Sequence, residues 1–340
     1  MKPKSTPTVR LLTGLFLLVI VTFLAYQRSH KPRIFILHSY NQNLPWVTSL
    51  NKGVSQIFHN KAYINLRYFY MDTKHLHSNH HIEQVNKRVT KAINRWKPDI
   101  IIAFDYEAQN LIREKFANTP KIKVVMAGVT ESTHWVEYEH SPNITGITEQ
   151  IPIKAIREIL SLIFHHQKRI FYISDDSRSA KTFDKEISSE DWDTFKLVAH
   201  RRVKTFSEWK KAILDAQQSA DIILVSTFYT ITDGPHQMKP AQLISWLNKH
   251  SSIPAVGMFK SFMLNGGMIA IAISGKEQGY RASWLALKII EKKLTIQDVP
   301  LLHGKKFLFF FDKEKLRDHF PKIHIPEILD AFSRSQKMGD

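Results

Sequence analysis

Beyond residue 32 the chain alternates short apolar runs, rich in β-branched and aromatic residues, with stretches of one-sided helical spacing. Such runs read as strands, and their alternation with amphipathic segments reads as a mostly parallel sheet flanked by helices, an α/β protein. A first series of expected strands is RIFILHSY (33–40), INLRYFYMDT (64–73), DIIIAFDY (99–106) and KVVMAGVT (123–130). A second series, RIFYISDD (169–176), FKLVAHRRV (195–203), DIILVSTFY (221–229) and IPAVGMF (253–259), repeats the layout. Between them NITGITEQIPI (143–153) has no helix period and reads as an extended crossover, and GMIAIAISG (267–275) has the same character. A helix is expected from about Glu277 to Lys293, then a strand KKFLFFFD (305–312) and a short final helix. The pattern predicts one lobe from 33–145 with 273–297 and another from 146–272 with 298–340. Two lobes joined by more than one segment imply a hinge and a cleft.

Residues 1–32 break this pattern. The basic opening MKPKSTPTVR precedes LLTGLFLLVIVTFLAY, uncharged from Leu11 to Tyr26, which is the layout of an export signal. Phe23 sits where a cleavage site wants a small residue, so an uncleaved signal anchor is expected, with a cleaved signal peptide as the alternative. Lys2, Lys4 and Arg10 orient the remainder across the membrane, to the periplasmic side.

Composition narrows the chemistry. The absence of cysteine excludes a disulfide scaffold, a cysteine nucleophile, thiolate zinc and a lipidated cysteine. Lys and Arg total 48 against 31 Asp and Glu, a net charge of +17. The basic runs are interrupted and lack a nucleic-acid reader motif, so an anionic membrane surface or acidic partner is expected rather than nucleic acid. His75, His77, His80 and His81 invite a metal reading, but the segment opens a helix that Ser78 or Asn79 can cap, and a solvated loop accounts for it. Ser274, Gly275 and Lys276 lack the upstream glycine of a phosphate loop, and no GxSxG or HExxH occurs. Asp175 and Asp176 are adjacent at a strand end and diverge in direction. No cofactor, no metal and no enzymatic activity are expected; a hydrolase reading would have to rest on Asp105 or the histidines.

In open α/β sheets ligands sit outside the carboxyl ends of the strands. That rule selects Ser39, Tyr40, Trp46, Asp105, Tyr106, Gly128 and Thr130 from the first series, and Asp175, Ser177, Thr227, Phe228, Tyr229 and Phe259 from the second. Aromatic walls with a few hydroxyls and carboxylates suit a small organic ligand. Tyr40, Phe228 and Phe259 equally suit packing between lobes, and Asp105 either caps a helix or neutralises an amine.

ILHSYNQNLPWVTSLNKGV (36–54) resembles the opening of the substrate-binding proteins of tryptophan-uptake-like ABC transporters. The segments PDIIIAFDYEAQ (98–109), VVMAGVTE (124–131), RIFYISDDS (169–177), DIILVSTF (221–228), IPAVGM (253–258), GGMIAIAISGKEQGYRASWLALKII (266–290) and FDKEKLRDHFPKIHIPEIL (311–329) follow in the family's order. The resemblance implies two Rossmann-like lobes of the type I periplasmic-binding-protein class, closing on a small, amino-acid-like molecule. It implies an ABC permease as partner, or alternatively a separate membrane sensor kinase or diguanylate cyclase.

Overall fold

A computed structural model describes residues 7–29, 31–76, 78–119, 121–128, 141–299 and 302–337. Two six-stranded sheets organise it. The first sheet contains β1 (Arg33–His38), β2 (Asn65–Tyr70), β3 (Ile100–Phe104), β4 (Lys123–Ala127) and β5 (Ile144–Thr148), and is completed by a late two-residue strand at Leu302–His303. The second contains β6 (Arg169–Asp175), β7 (Lys196–Val203), β8 (Ile222–Val225), β11 (Ala255–Gly257), β12 (Ile269–Ile273) and β14 (Phe307–Phe311). A hairpin of β9 (Thr232–Asp233) and β10 (His236–Gln237) stands apart, and Leu302–His303 is β13.

The spatial order is β2-β1-β3-β4-β5-β13 in one sheet and β7-β6-β8-β11-β12-β14 in the other. Each sheet thus places its second strand outside its first and then runs on in sequence, the doubly wound order whose reversal point opens a crevice at the strand ends. All pairings in the two sheets are parallel except β12 with β14. The inner strands are buried on both faces, so their sequences read as continuous apolar runs: β3 is IIIAF and β12 is IAIAI, all fully or nearly fully buried. This is the two-lobed type I periplasmic-binding-protein fold.

The long C-terminal helix spans Gly275–Ile290 and is capped by Ser274, whose hydroxyl accepts from the Glu277 amide at 3.2 Å. It returns to the first lobe and packs on the helix Pro45–Phe58, with Ala282, Leu285 and Ile289 joining Ile34, Ile36 and Leu50 in one core. Gly53 and Gly279 make that approach possible: a Cβ on Gly279 would lie 2.0 Å from the Leu50 carbonyl oxygen. The final strand β14 lies antiparallel beside β12 in the second sheet.

Two sequence expectations change. The segment 143–153 is no simple crossover, because Ile144–Thr148 is a fully buried fifth strand and a helix starts at Ile153, directly after Pro152. Likewise 267–275 holds β12, a central strand of the second sheet, and the helix after it begins at Gly275 because the Ser274 cap precedes it. The chain passes between sheets after Thr148, after Ile273 and after His303. These passages are tied together. Gln278 donates to the Thr148 carbonyl at 3.2 Å and accepts from the Gly128 amide at 3.2 Å. The Gly304 amide reaches Thr148 at 3.0 Å, and the Lys305 and Lys306 amides donate to Glu277 at 3.1 and 2.7 Å.

At the N-terminus Pro7–Ser29 forms one helix, and its described apolar side chains, such as Leu11 and Leu12, are exposed. Among the described residues no helix is long and apolar enough to cross a membrane. The expected anchor is therefore not supported by the described residues.

Candidate functional site

A cavity lies where the carboxyl ends of strands from both sheets meet. Tyr40 follows β1, Lys74 follows β2, Asp105 follows β3, Gly128 follows β4 and Glu149 follows β5, and all five line it. From the other side come Ser179, Thr182 and Phe183 of the helix Arg178–Ser189, Thr227 and Tyr229 after β8, and Phe259 after β11. The space open to the centre of a water molecule is about 80 Å³. In this conformation the cavity suits a small molecule.

The apolar wall is aromatic. Trp46 meets Phe259 edge to face at 6.3 Å between centroids, and Phe259 meets Phe183 at 5.3 Å. Trp46 is the second residue of a helix whose first, Pro45, has its φ preset for that position. The indole rests against Gly275, where a Cβ would lie 3.0 Å from the ring.

The charged groups are buried. Asp105 is 3% exposed and has φ +67°, a left-handed conformation that costs a non-glycine residue strain and is tolerated where the surroundings enforce it. It does not cap its helix, whose N-cap is Phe104. Instead Oδ1 accepts the Trp46 indole N–H at 2.8 Å, while Oδ2 is buried and has no hydrogen-bond partner among the described residues. Burial pushes its pKa up to about 7, against the lowering pull of the Trp46 N–H and the Lys74 ammonium. Glu149 is 2% exposed and its Oε1 is also buried without a partner. Burial, then repulsion from Asp105 and Glu186, raises its pKa well above the carboxylate range.

Lys74 bridges the two lobes. Its Nζ donates to Ser177 at 3.0 Å and to Ser179 at 2.7 Å and stands 5.2 Å from the centre of the Tyr40 ring. Burial lowers its pKa, opposed by the charges of Asp175, Asp105 and Glu107. Arg178 and Glu107 add a second cross-lobe contact at 3.1 Å. Lys74 and Tyr40 also face a polar recess lined by Asn79, Asp176, Arg178 and Lys204.

Of the residues expected from sequence, Tyr40, Trp46, Asp105, Tyr106, Gly128, Thr227, Tyr229 and Phe259 line the cavity. Ser39 does not reach it: its hydroxyl donates to the Phe104 carbonyl and accepts from the Ala108 amide, fixing the start of the neighbouring helix. Phe228 is fully buried in the second lobe's core against Phe262. Asp175 lies beneath the cavity floor, where it ties Ser177, Thr227, Tyr229 and Thr230 together. Ser177 caps the helix Arg178–Ser189 and faces the outer recess. Thr130 lies outside the described residues. Lys74, Glu149, Ser179 and Phe183 were not anticipated; Lys74 immediately follows the expected run 64–73, so the strand-end rule applied to β2 selects it.

The histidine segment has local partners: His75 pairs with Asp72 at 2.6 Å, His80 with Gln84 at 2.7 Å, and Ser78 caps the helix at His81. His77 lies outside the described residues.

With this geometry in place, comparison with known proteins is direct. The family model described as ABC transporter substrate binding protein matches residues 47–334, and the chain belongs to that family. No curated protein matches it in sequence. A conserved domain protein from Vibrio cholerae superposes with a TM-score of 0.67 at 14% identity, over 89% of this chain and 98% of that one. An ABC domain from Streptococcus pneumoniae in complex with L-Trp gives 0.66 at 14% identity, over 88% and 98%. A ligand-free, open substrate binding protein with adhesive properties from Clostridium difficile gives 0.60 at 14% identity, over 87% and 96%. At that identity the likeness establishes the fold.

Proposed function

We propose that this protein is the extracytoplasmic solute-binding component of an ABC-type uptake system, closing two lobes over one small, ring-bearing organic molecule and delivering it unchanged to a permease. The lobes move as 33–149 with 274–304 against 150–273 with 305–337, about the three tied passages. The carrying observation is the cavity itself: aromatic walls and buried polar groups from both sheets converge at the strand ends, and Lys74 and Arg178 reach across to the opposite lobe. Membership of the family supports the transport role, and the signal-like N-terminus supports export. Thermal unfolding against a ligand panel tests the reading, since a binder at 100 times its Kd adds about 2.7 kcal/mol. Small-angle scattering with the same ligands should show compaction. A panel of amino acids, amines and sugars that neither stabilises nor compacts the protein overturns it.

A further inference from the structure

The cleft's charges are unequally served, and the inequality points to the chemistry of its occupant. Lys74 has three N–H donors, and two serine hydroxyls and the Tyr40 ring face take them up. Its charge is felt by Asp175, Asp105 and Glu107, but among the described residues it donates its hydrogen bonds to the two serines and to none of these carboxylates. The other cation on the wall, Lys260, is half-buried and stands 5.2 Å from the centre of the Phe310 ring. The carboxylates differ: among the described residues, Asp105 Oδ2 and Glu149 Oε1 are both buried acceptors without a donor, on residues 3% and 2% exposed. A buried acceptor left unpaired costs about 1–3 kcal/mol, more when charged, so two on one wall ask for a donor from outside the protein.

We infer that the ligand enters with a protonated primary or secondary amine held jointly by Asp105 and Glu149, and that it needs no carboxylate. This rests on the binding reading above and narrows it from amino acids to aryl-alkyl amines. The two orphan oxygens require hydrogen-bond donors, which a quaternary ammonium lacks, and an ammonium also meets the negative charge that a hydroxyl does not. The aromatic wall of Trp46, Phe183 and Phe259 takes the ring. The ammonium displaces protons that burial otherwise retains on the carboxylates, so binding releases protons to the buffer.

The test is titration calorimetry on the whole protein with phenethylamine against phenylalanine, tryptamine against tryptophan, and phenethyl alcohol and phenethyltrimethylammonium as controls. Each amine should bind at least tenfold tighter than its parent amino acid and than either control, with an enthalpy that varies with the buffer's ionisation enthalpy. Glu149→Gln and Asp105→Asn should each weaken the amine at least tenfold and leave phenethyl alcohol unchanged, which a purely structural role for either carboxylate would not do. The wild-type ligand series decides the matter even if a variant misfolds. Amino acids that bind as well as or better than their amines overturn the inference and leave the solute-binding reading intact. No binding by any of these compounds overturns the inference, and absence of compaction with every class in the wider panel overturns the reading as well.

Discussion

Two buried aspartates, one in each lobe, have opposite fates. Asp175 ends β6 and receives hydrogen bonds from the Ser177 hydroxyl at 2.6 Å, the Thr227 hydroxyl at 2.7 Å and the amides of Tyr229 and Thr230 at 2.7 and 3.1 Å. Burial pushes its pKa up, but Lys74 and these donors outweigh burial and hold it below the usual value. Asp105 is as deeply buried and receives one donor, and its pKa rises to about 7. Burial alone therefore does not decide whether a carboxylate is charged; the supply of donors does. The second lobe spends its aspartate on holding a loop, and the first keeps its own available.

The largest way to break this contrast is Asp175→Asn. The amide nitrogen would face two backbone N–H groups or two hydroxyls, and Lys74 would lose its counter-charge. A loss of about 3–5 kcal/mol is expected in urea unfolding, the range for removing one partner of a buried pair. A change under 1 kcal/mol would mean the loop does not depend on that carboxylate.

Asp105→Asn should do the reverse. A folded-state pKa raised from 3.8 to about 7 means the folded protein holds the extra proton between those values. Stability from this group is complete below pH 3.8 and is lost as pH rises through about 7. At pH 8 the variant should be more stable than wild type by ~4 kcal/mol, with the difference shrinking towards pH 4. The groups facing Asp105 are the Trp46 indole and the charges of Lys74, Glu149 and Tyr40. Glu149 titrates with the same sign, so the diagnostic is the variant-minus-wild-type curve. A flat difference from pH 4 to 8 would refute the elevated pKa.

Gly275→Ala sharpens the comparison from the aromatic side. The added methyl meets the indole that holds Asp105, at 3.0 Å, and should shift it. Ligand affinity is expected to fall several-fold with little change in unfolding temperature; unchanged affinity would show that the indole's seat is immaterial.

The smallest effect belongs to Arg178→Ala. Arg178 is 44% exposed and its partner Glu107 is 10% exposed. A partly exposed pair of this kind contributes about 0–1 kcal/mol, so closure monitored by scattering should weaken by less than about fivefold. A larger loss would make this contact, rather than Lys74, the main tie between lobes.

The sequence conveyed the strands well because parallel strands buried on both faces leave unbroken apolar runs, such as IIIAF and IAIAI. It concealed β5, because ITGIT is short, contains a glycine and two threonines, and is followed closely by Pro152. Read as a strand-like crossover between lobes, the segment offers no sheet strand end, and the strand-end rule does not select Glu149. Ser39, Asp175 and Phe228 satisfy the strand-end rule, but the rule cannot tell a side chain that opens into the crevice from one that supports its floor. That distinction depends on partners distant in sequence, such as Ala108 for Ser39 and Phe262 for Phe228.

The shared core of Ile34, Ile36, Leu285 and Ile289 has a consequence for how the chain matures. The first lobe cannot close its interior until a helix some 250 positions downstream has been made, and the second lacks β14 until residue 311 has followed. Contacts at such separation make folding slow. A nascent chain with this wiring is expected to stay loose until nearly its whole length has emerged.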